Sequence, residues 1–137
     1  MIERVAKYLL ENYYVTYTGE NVKCTPELSV LIKALEKYSD KFFVLWEEDE
    51  IRGVVLFLTL SDETYARIEE YNLYDVLILT ELLEESGENY HFFMLTVKSL
   101  KDLLKGLWKF KRERKPKTMS WWNPTYTFLH KYKMRRS

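Results

Sequence analysis

The segment "YHFFMLTVKSLKDLLKGLWKFKRERKPKTMSWW", residues 90 to 122, decides how this chain folds. It opens with an apolar run, Tyr90 to Val97, of the kind that lies in the middle of a sheet. Ser99, with Asp102 three residues later, has the spacing of a capping box and predicts the start of a helix. Pro116 ends that helix because proline cannot continue it, and "KTMSWW" then returns as a strand. The segment therefore predicts a β-α-β unit.

Two patterns run along the helix of this unit. Apolar residues at helical spacing predict its buried face: Leu100, Leu103, Leu104, Leu107 and Trp108. Cations recur at steps of three and four on another face: Lys98, Lys101, Lys105, Lys109 and Arg112. Because a regular row of cations suits an anionic partner, the row has three interpretations: nucleic acid, a membrane surface, or the phosphates of a cofactor.

Before this unit the sequence predicts two helices and a hairpin. The first helix has its apolar residues at helical spacing: Ile2, Val5, Ala6, Leu9 and Leu10. After a polar connection through Gly19, a second helix begins with Thr25 as N-cap and Pro26 at the first helical position. The stretch "KFFVLWEEDEIRGVVLFLTLSD", residues 41 to 62, has two apolar runs around an acidic turn and predicts a hairpin. Gly53 in its second run indicates a bulge or a close backbone approach.

The connection from the hairpin to the β-α-β unit is predicted to be helical. Ser61 caps a helix through Tyr65, Ile68 and Tyr71. The stretch "YDVLILTELLEESG", residues 74 to 87, is compatible with a strand or a helix, and its leucine spacing favours a helix stopped by Gly87. A turn at Asn123-Pro124 and the stretch "YTFLHKYKM" predict a final strand. The order α-α-β-β-α(α)-β-α-β-β predicts an α+β (mixed α/β) fold, a central mixed sheet flanked by helices, in a single domain over residues 1–137.

Composition limits the class of protein. A chain of 137 residues is large enough to bury a core as one domain. Its one cysteine, Cys24, cannot form an internal disulfide, and the N-terminus "MIERVAKYLLENYY" is typical of an amphipathic helix and not of a secretory signal. We therefore expect a cytoplasmic protein. The longest apolar runs, Val54 to Leu58 and Val76 to Leu79, are too short to span a bilayer.

The formal net charge of zero conceals an asymmetry along the chain. Residues 1–97 hold 8 Lys and Arg against 19 Asp and Glu, a balance of −11. Residues 98–137 hold 13 against 2, a balance of +11. Either the basic third faces an anionic partner, or the two parts neutralise each other within one fold, and both interpretations remain open.

Three features of this order carry a family resemblance. Two helices precede "FFVLWEEDEIRGVVLFL", which has a hydrophobic-Gly-hydrophobic entry at Ile51-Arg52-Gly53-Val54. The strand "FFMLTVKS" leads into the helix from Ser99, and "KTMSWW" follows that helix. In these features residues 25–134 resemble the GNAT superfamily of acyl-CoA-dependent N-acyltransferases, with the strands in the places of that family's second to fifth strands. The ending "SWWN…TFLHKYKMRR" is similar to that of compact acyltransferase-like proteins of phage genomes.

The chain departs from the GNAT pattern at the cofactor loop. The family's (Arg/Gln)-x-x-Gly-x-(Gly/Ala) motif is absent, since Lys98 to Leu103 contain no glycine and Gly106 falls within the predicted helix. A helix also stands where the family has its first strand, and a turn stands in place of its fourth helix.

The resemblance implies that acetyl-CoA or another acyl-CoA binds and, in an active enzyme, gives its acyl group to an amine. The cofactor would contact the strand end and the helix start: Leu95, Thr96, Val97, Lys98, Ser99, Leu100 and Lys101. Backbone N–H groups at the helix start would hold the pyrophosphate, and the backbone of Leu95 to Val97 would line the thioester.

The catalytic base and acid are not assigned by the sequence. Four candidates for the base lie in the hairpin turn, a position typical of solvated carboxylates: Glu47, Glu48, Asp49 and Glu50. Two more, Glu63 and Glu81, lie in predicted helices whose placement the sequence does not specify. Tyr126 and Tyr132 are candidate acids, although a tyrosine among eleven is more typical of packing. Cys24 has no histidine nearby in sequence to activate it. His91 and His130 lack metal-ligand spacing, so we expect no metal.

Two further functional hypotheses stay open at this level. Cations interleaved with aromatic residues in the C-terminal third suit a nucleic-acid-binding module: Trp108, Trp121, Trp122, Tyr126, Phe128 and Tyr132. A phage-type structural or interaction protein that keeps the fold without its chemistry is the other. A membrane role is disfavoured, because a sheet would cover the apolar face of the lysine-bearing helix. The sequence does not specify the oligomeric state.

Overall fold

A computed structural model describes residues 1–14, 27–73, 75–122 and 128–134 of the chain. Its five strands are β1 Phe42–Glu47, β2 Glu50–Leu60, β3 Asn89–Val97, β4 Thr118–Trp122 and β5 Leu129–Lys133. Its helices are α1 Ile2–Leu9, α2 Leu28–Lys37, α3 Asp62–Ala66, α4 Val76–Leu83 and α5 Leu100–Arg114. A π-helical turn, Leu10–Tyr14, follows α1, and a 3-10 turn, Ile68–Glu70, follows α3. This order confirms the predicted mixed α/β architecture.

Within the described ranges the strands form one sheet in the order β1-β2-β3-β4-β5. β3 and β4 are parallel, with Asn89 opposite Thr118 and Phe92 opposite Trp121, so α5 connects two parallel neighbours as the β-α-β prediction requires. β4 and β5 are antiparallel, with Thr118 opposite Lys133. The predictions on Gly19, Cys24, Thr25, Pro26, Asn123, Pro124 and Tyr126 lie outside the described residues.

The described residues fall into two compact units, and the first comprises Met1–Val55 with Leu95–Trp108. The two-residue turn between β1 and β2, Glu48 and Asp49, has φ angles of 48° and 66°, the left-handed values that a tight hairpin needs at both positions. At Gly53 an added Cβ would lie 2.8 Å from the Cγ1 of Val97 and 3.2 Å from the carbonyl oxygen of Thr96. The predicted close backbone approach at Gly53 is therefore confirmed. α1 packs on α2. The two helices have buried apolar residues: Val5, Ala6, Leu9, Leu31 and Leu35.

The second unit comprises Leu56–Met94 with Lys109–Ser137. One part of its core is aliphatic: Leu58, Leu60, Ile68 and Leu82. Another part is aromatic, since the ring of Phe110 lies 5.4 Å from that of Phe57 and 5.1 Å from that of Phe92, centroid to centroid. Both contacts are nearly perpendicular, the edge-to-face arrangement that aromatic rings favour.

The connecting helices of this unit partly follow the prediction. The helix predicted over residues 74–87 is present as α4. The predicted cap of α3 is also confirmed, because the N–H of Thr64 donates to the Oγ of Ser61 at 3.2 Å. The helix predicted to continue to Tyr71 instead ends at Ala66 and resumes as a 3-10 turn. At Gly87 an added Cβ would lie 2.1 Å from the carbonyl oxygen of Leu60, so only glycine fits behind α4.

The predicted buried face of α5 is wrong for three of its five residues. Leu100, Leu104 and Trp108 are 71%, 62% and 58% exposed, and Leu103 and Leu107 are half-buried. The most enclosed row instead passes through Asp102, Gly106 and Phe110, four residues apart. Gly106 faces Leu45, and a Cβ added there would lie 3.7 Å from the Cδ2 of Leu45, an ordinary contact distance. The buried face of α5 thus includes a glycine and an ion-paired carboxylate, and hydrophobic periodicity alone does not predict that either is buried.

Across the described residues, no helix combines the length and the apolar character needed to cross a bilayer.

Candidate functional site

The first turn of α5 is organised by Ser99. Its Oγ accepts a hydrogen bond from the N–H of Asp102 at 3.1 Å and donates one to the Oδ2 of Asp102 at 2.8 Å. The predicted Ser99–Asp102 cap is therefore present, with the carboxylate held by the serine hydroxyl. The N–H groups of Leu100 and Lys101 occupy the first two helical positions, where a helix offers no internal acceptor.

Asp102 is a buried carboxylate held from β2. The Nε and Nη2 of Arg52 donate to its Oδ2 at 3.1 Å and 2.8 Å, and its side chain is only 3% exposed. The hydrogen bonds from Arg52 and Ser99 lower the pKa of Asp102 and outweigh the effect of burial, which acts in the opposite direction. Asp102 is consequently ionised, and its charge is compensated within the first unit.

The cations nearest this turn have their own carboxylate partners. The Nζ of Lys98 donates to Glu50 at 2.8 Å, and this hydrogen bond is the main cause of a lowered pKa for Glu50. The Nζ of Lys105 lies 3.7 Å from a carboxylate oxygen of Glu47. Two members of the predicted basic row are therefore neutralised by the acidic hairpin, which supports the charge-compensation interpretation for these positions.

Other members of the row differ. In the part of the chain that the structure describes, Lys101 and Lys109 are exposed and have no carboxylate partner. Lys101 lies in the first turn of α5 and Lys109 lies two turns later. Free positive charge thus remains at the helix start.

The seven residues predicted to contact a cofactor form one continuous stretch in the first unit. Leu95 is 43% exposed, and Thr96 and Val97 are half-buried at the end of β3. The backbone N–H of Lys98 donates to the carbonyl oxygen of Arg52 at 3.0 Å, so it is engaged within the protein. The backbone donors of the helix start are therefore those of Leu100 and Lys101.

Sequence reasoning missed the part that Arg52 plays here. Arg52 and Asp102 are 50 residues apart, and no local motif links them. The one usable signal was the position of Arg52 directly before Gly53, where β2 approaches β3 closely. The candidate bases of the hairpin turn are exposed, as expected: Glu47, Glu48, Asp49 and Glu50. Glu63 and Glu81 are exposed as well.

A second polar pair lies in the core of the second unit. The Nδ1 of His91 and the Oγ of Ser120 are 2.8 Å apart, and both residues are 0% exposed. The Nε2 of His91 is also buried and has no hydrogen-bond partner among the described residues. Burial, with a smaller contribution from Lys131, lowers the pKa of His91 to about 4. Since no solvent reaches either side chain, the pair is a core hydrogen bond and not a nucleophile with its base.

No cluster of three or more His, Cys, Asp or Glu side chains suited to a metal ion occurs among the described residues.

Two solved structures are similar to this chain. The GphF GNAT-like decarboxylase, in complex with isobutyryl-CoA, matches with a TM-score of 0.59 and 14% identity, over 87% of this chain and 61% of that one. The loading GNATL domain of CurA from Lyngbya majuscula matches with a TM-score of 0.58 and 13% identity, over 91% of this chain and 65% of that one. The chain therefore has a GNAT-like fold, and it spans less than two thirds of the length of either neighbour.

No protein-family model matches the sequence, and no curated protein matches it.

Proposed function

We propose that this chain is a GNAT-like acyl-CoA-binding domain whose cofactor lies at the junction of β3 and α5. The observation that carries the proposal is the GNAT-like fold with a helix start, at Leu100 and Lys101, whose backbone donors face no internal acceptor. The solved neighbour GphF is in complex with isobutyryl-CoA, which supports an acyl-CoA as the ligand class.

The pyrophosphate is assigned to the first turn of α5. The positive end of the helix dipole favours an anion there, and the N–H groups of Leu100 and Lys101 provide hydrogen bonds. The ammonium group of Lys101, which has no carboxylate partner among the described residues, adds a positive charge, and Lys98 adds one that it shares with Glu50. The thioester is assigned to the backbone of Leu95 to Val97.

Asp102 affects how tightly a phosphate is held. Its negative charge in the first turn opposes an anion, and the hydrogen bonds from Arg52 and Ser99 offset much of that effect. The side chains of Ser99 and Leu100, where the family motif has room for glycine, keep a phosphate farther from the backbone. Affinity then depends more on the lysine charges, so we expect binding to weaken markedly with salt.

Acyl transfer to an amine is the finer form of this proposal. The amine must lose a proton, yet the carboxylates beside the site, Glu50 and Asp102, are poor bases because hydrogen bonds from cations lower the pKa of each. A domain that binds acyl-CoA without transferring the acyl group is supported by the same observation. Release of free CoA thiol from acetyl-CoA in the presence of an amine panel separates the two.

Isothermal titration of the purified chain with acetyl-CoA, isobutyryl-CoA and free CoA at low salt tests the binding proposal. Lys101→Glu should weaken binding about 10-fold, because it replaces an attraction to phosphate with a repulsion. Lys109→Glu is the matched control, since Lys109 is also exposed on α5 but two turns from its start. It should change the affinity less than about twofold.

Thermal unfolding gives an independent measurement. A ligand at 100 times its Kd stabilises a protein by about 2.7 kcal/mol, which corresponds to roughly 8 °C for a chain of this length. The proposal is refuted if neither free CoA nor an acyl-CoA at millimolar concentration shifts the unfolding temperature or gives a heat of binding.

A further inference from the structure

Large apolar side chains lie on the exposed side of α5. Leu100, Leu104 and Trp108 are 71%, 62% and 58% exposed. They are four residues apart, so in a helix of about 3.6 residues per turn they form one row along its surface. Each position of the enclosed row, which includes Phe110, follows a position of this row by two residues, or about 200° of rotation. We call Leu100, Leu104 and Trp108 the apolar strip.

The exposure of the strip removes the objection that the sequence raised to a membrane contact. That objection was that a sheet covers the apolar residues of this helix. The residue of α5 that packs against rings of the sheet is Phe110, which contacts Phe57 and Phe92, and it lies on the opposite side from the strip. With 15 residues, α5 is shorter than the roughly 20 residues that a membrane-spanning helix needs. A lipid contact of the strip is therefore a contact with the surface of a bilayer.

Two lysines lie on the same side of α5 as the strip. Lys101 comes three residues before Leu104 and seven before Trp108, and Lys111 comes three after Trp108 and seven after Leu104. In one continuous helix these spacings place side chains next to each other. Both lysines are exposed, and neither has a carboxylate partner among the described residues. The acidic residues of the helix lie on its other side: Asp102 and Glu113.

We propose that this side of α5 is a docking surface for an anionic lipid bilayer. The helix lies parallel to the bilayer, and the strip enters the boundary between headgroups and acyl chains. Tryptophan is favoured at that depth because its ring is apolar and its N–H is polar. Lys101 and Lys111 lay their alkyl stems along the apolar region and extend their ammonium groups to the lipid phosphates. Lys105 is not counted, because it lies 3.7 Å from Glu47.

The position of the two lysines favours a bilayer over other partners. A second copy of the chain would bring the same two lysines against each other. An apolar groove in a partner protein would bury both charges, so it would need a carboxylate opposite each one. An anionic bilayer offers negative groups at every position of its surface. The inference goes beyond the proposed function and does not rest on it, since Leu104, Trp108 and Lys111 are not assigned to the cofactor.

Co-sedimentation of the full chain with lipid vesicles, without acyl-CoA, tests the proposal. We expect binding to phosphatidylcholine vesicles that contain about 30% phosphatidylserine, weaker binding as salt rises, and much weaker binding to phosphatidylcholine alone. Lys111→Ala should weaken binding about fivefold, since one cation near the surface is lost. Lys109→Ala is the matched control, because Lys109 is also exposed without a carboxylate partner among the described residues but lies on another side of α5. It should change binding less than about twofold, since the helix is about as wide as the Debye length.

A second pair of variants measures the apolar contribution. Leu104→Ala should weaken vesicle binding about 3- to 10-fold, because less apolar surface leaves water. Leu77→Ala is its control, since Leu77 is a leucine of α4 that is 77% exposed and lies outside the strip. It should leave binding unchanged.

Tryptophan fluorescence locates the contact. Emission of the wild type should move to shorter wavelength when anionic vesicles are added, because the indole of Trp108 leaves water. Trp108→Phe keeps an apolar ring and should still bind, but most of the shift should be lost.

Three results would overturn the proposal. The first is no binding to anionic vesicles at low salt, which is also what a strip that binds an acidic partner protein would give. The second is equal binding by Leu104→Ala and the wild type, or equal effects of Lys111→Ala and Lys109→Ala, since either result means adsorption by overall charge. The third is a dimer in sedimentation velocity that Leu104→Glu dissociates, because the strip is then an interface between copies. Each of these leaves the calorimetric test of acyl-CoA binding intact, because that test contains no lipid.

Discussion

The buried pair of His91 and Ser120 predicts that the protein loses stability between pH 7 and pH 4. In an unfolded chain the pKa of a histidine is near 6.5, whereas burial lowers the pKa of His91 to about 4 in the folded protein. At a pH between these two pKa values, the histidine is protonated in the unfolded chain and neutral in the folded protein. The free energy of unfolding therefore falls as the pH falls, and the contribution of His91 is complete above pH 6.5.

The size of this effect follows from the difference between the two pKa values. It amounts to roughly 3 kcal/mol once the pH is below 4, and roughly 2 kcal/mol is already lost between pH 7 and pH 5. A domain of this size has a total stability of about 5–15 kcal/mol, so the loss is measurable by urea unfolding.

The comparison that isolates His91 is the double variant His91→Leu/Ser120→Ala. Removing both partners avoids an unpaired hydroxyl in the core, which makes the substitution milder than either change alone. Between pH 7 and pH 5 the free energy of unfolding of the double variant should change much less than that of the wild type does. Glu50 and Asp102 are retained in both proteins, so their titration cancels in the comparison.

The chain has two histidines, so His130→Gln completes the set of controls. It should keep the wild-type loss of about 2 kcal/mol between pH 7 and pH 5. The reasoning fails if the wild type loses less than about 0.5 kcal/mol over this interval, or if the double variant loses as much as the wild type.

Two further predictions concern the first unit. Gly53→Ala should destabilise the protein by about 1–3 kcal/mol in urea unfolding, because its Cβ would lie 2.8 Å from Val97. Gly106→Ala, whose Cβ has an ordinary contact distance, should instead raise the free energy of unfolding by about 0.5–1 kcal/mol. Equal effects of the two substitutions would contradict this prediction. Arg52→Met leaves Asp102 buried without its cation, so the urea midpoint should fall at pH 7 and fall less at pH 4, where Asp102 takes up a proton. Arg67→Met, which breaks an exposed pair with Glu70, should leave the midpoint nearly unchanged at either pH.

The charge asymmetry of the chain is partly compensated within the fold. At the hairpin and the start of α5 the opposite charges meet, as the contacts of Lys98 with Glu50 and of Lys105 with Glu47 show. On β5 the lysines alternate with aromatic rings, and residues 115–137 contain no acidic residue. The charge-compensation interpretation of the asymmetry thus applies at the hairpin and the start of α5.

Much of the architecture could be predicted because its signals are local. The cap of α5 depends on Ser99 and Asp102, three residues apart, and the cap of α3 depends on Ser61 and Thr64. The alternation of helices and strands depends on apolar spacing within each element. Such signals act through backbone hydrogen bonds between near neighbours in sequence, so they can be recognised without knowledge of the fold.

The sequence by itself therefore determined the order of elements, the start of α5 and the junction at which a cofactor is proposed to bind. Only the tertiary structure decided which face of α5 is buried, that Arg52 holds Asp102 across 50 residues, and that His91 meets Ser120 across 29. It also decided that rings from three strands form one stack. These contacts depend on strand register and on how closely Gly53 lets β2 approach β3, and neither quantity leaves a periodic signal along the chain.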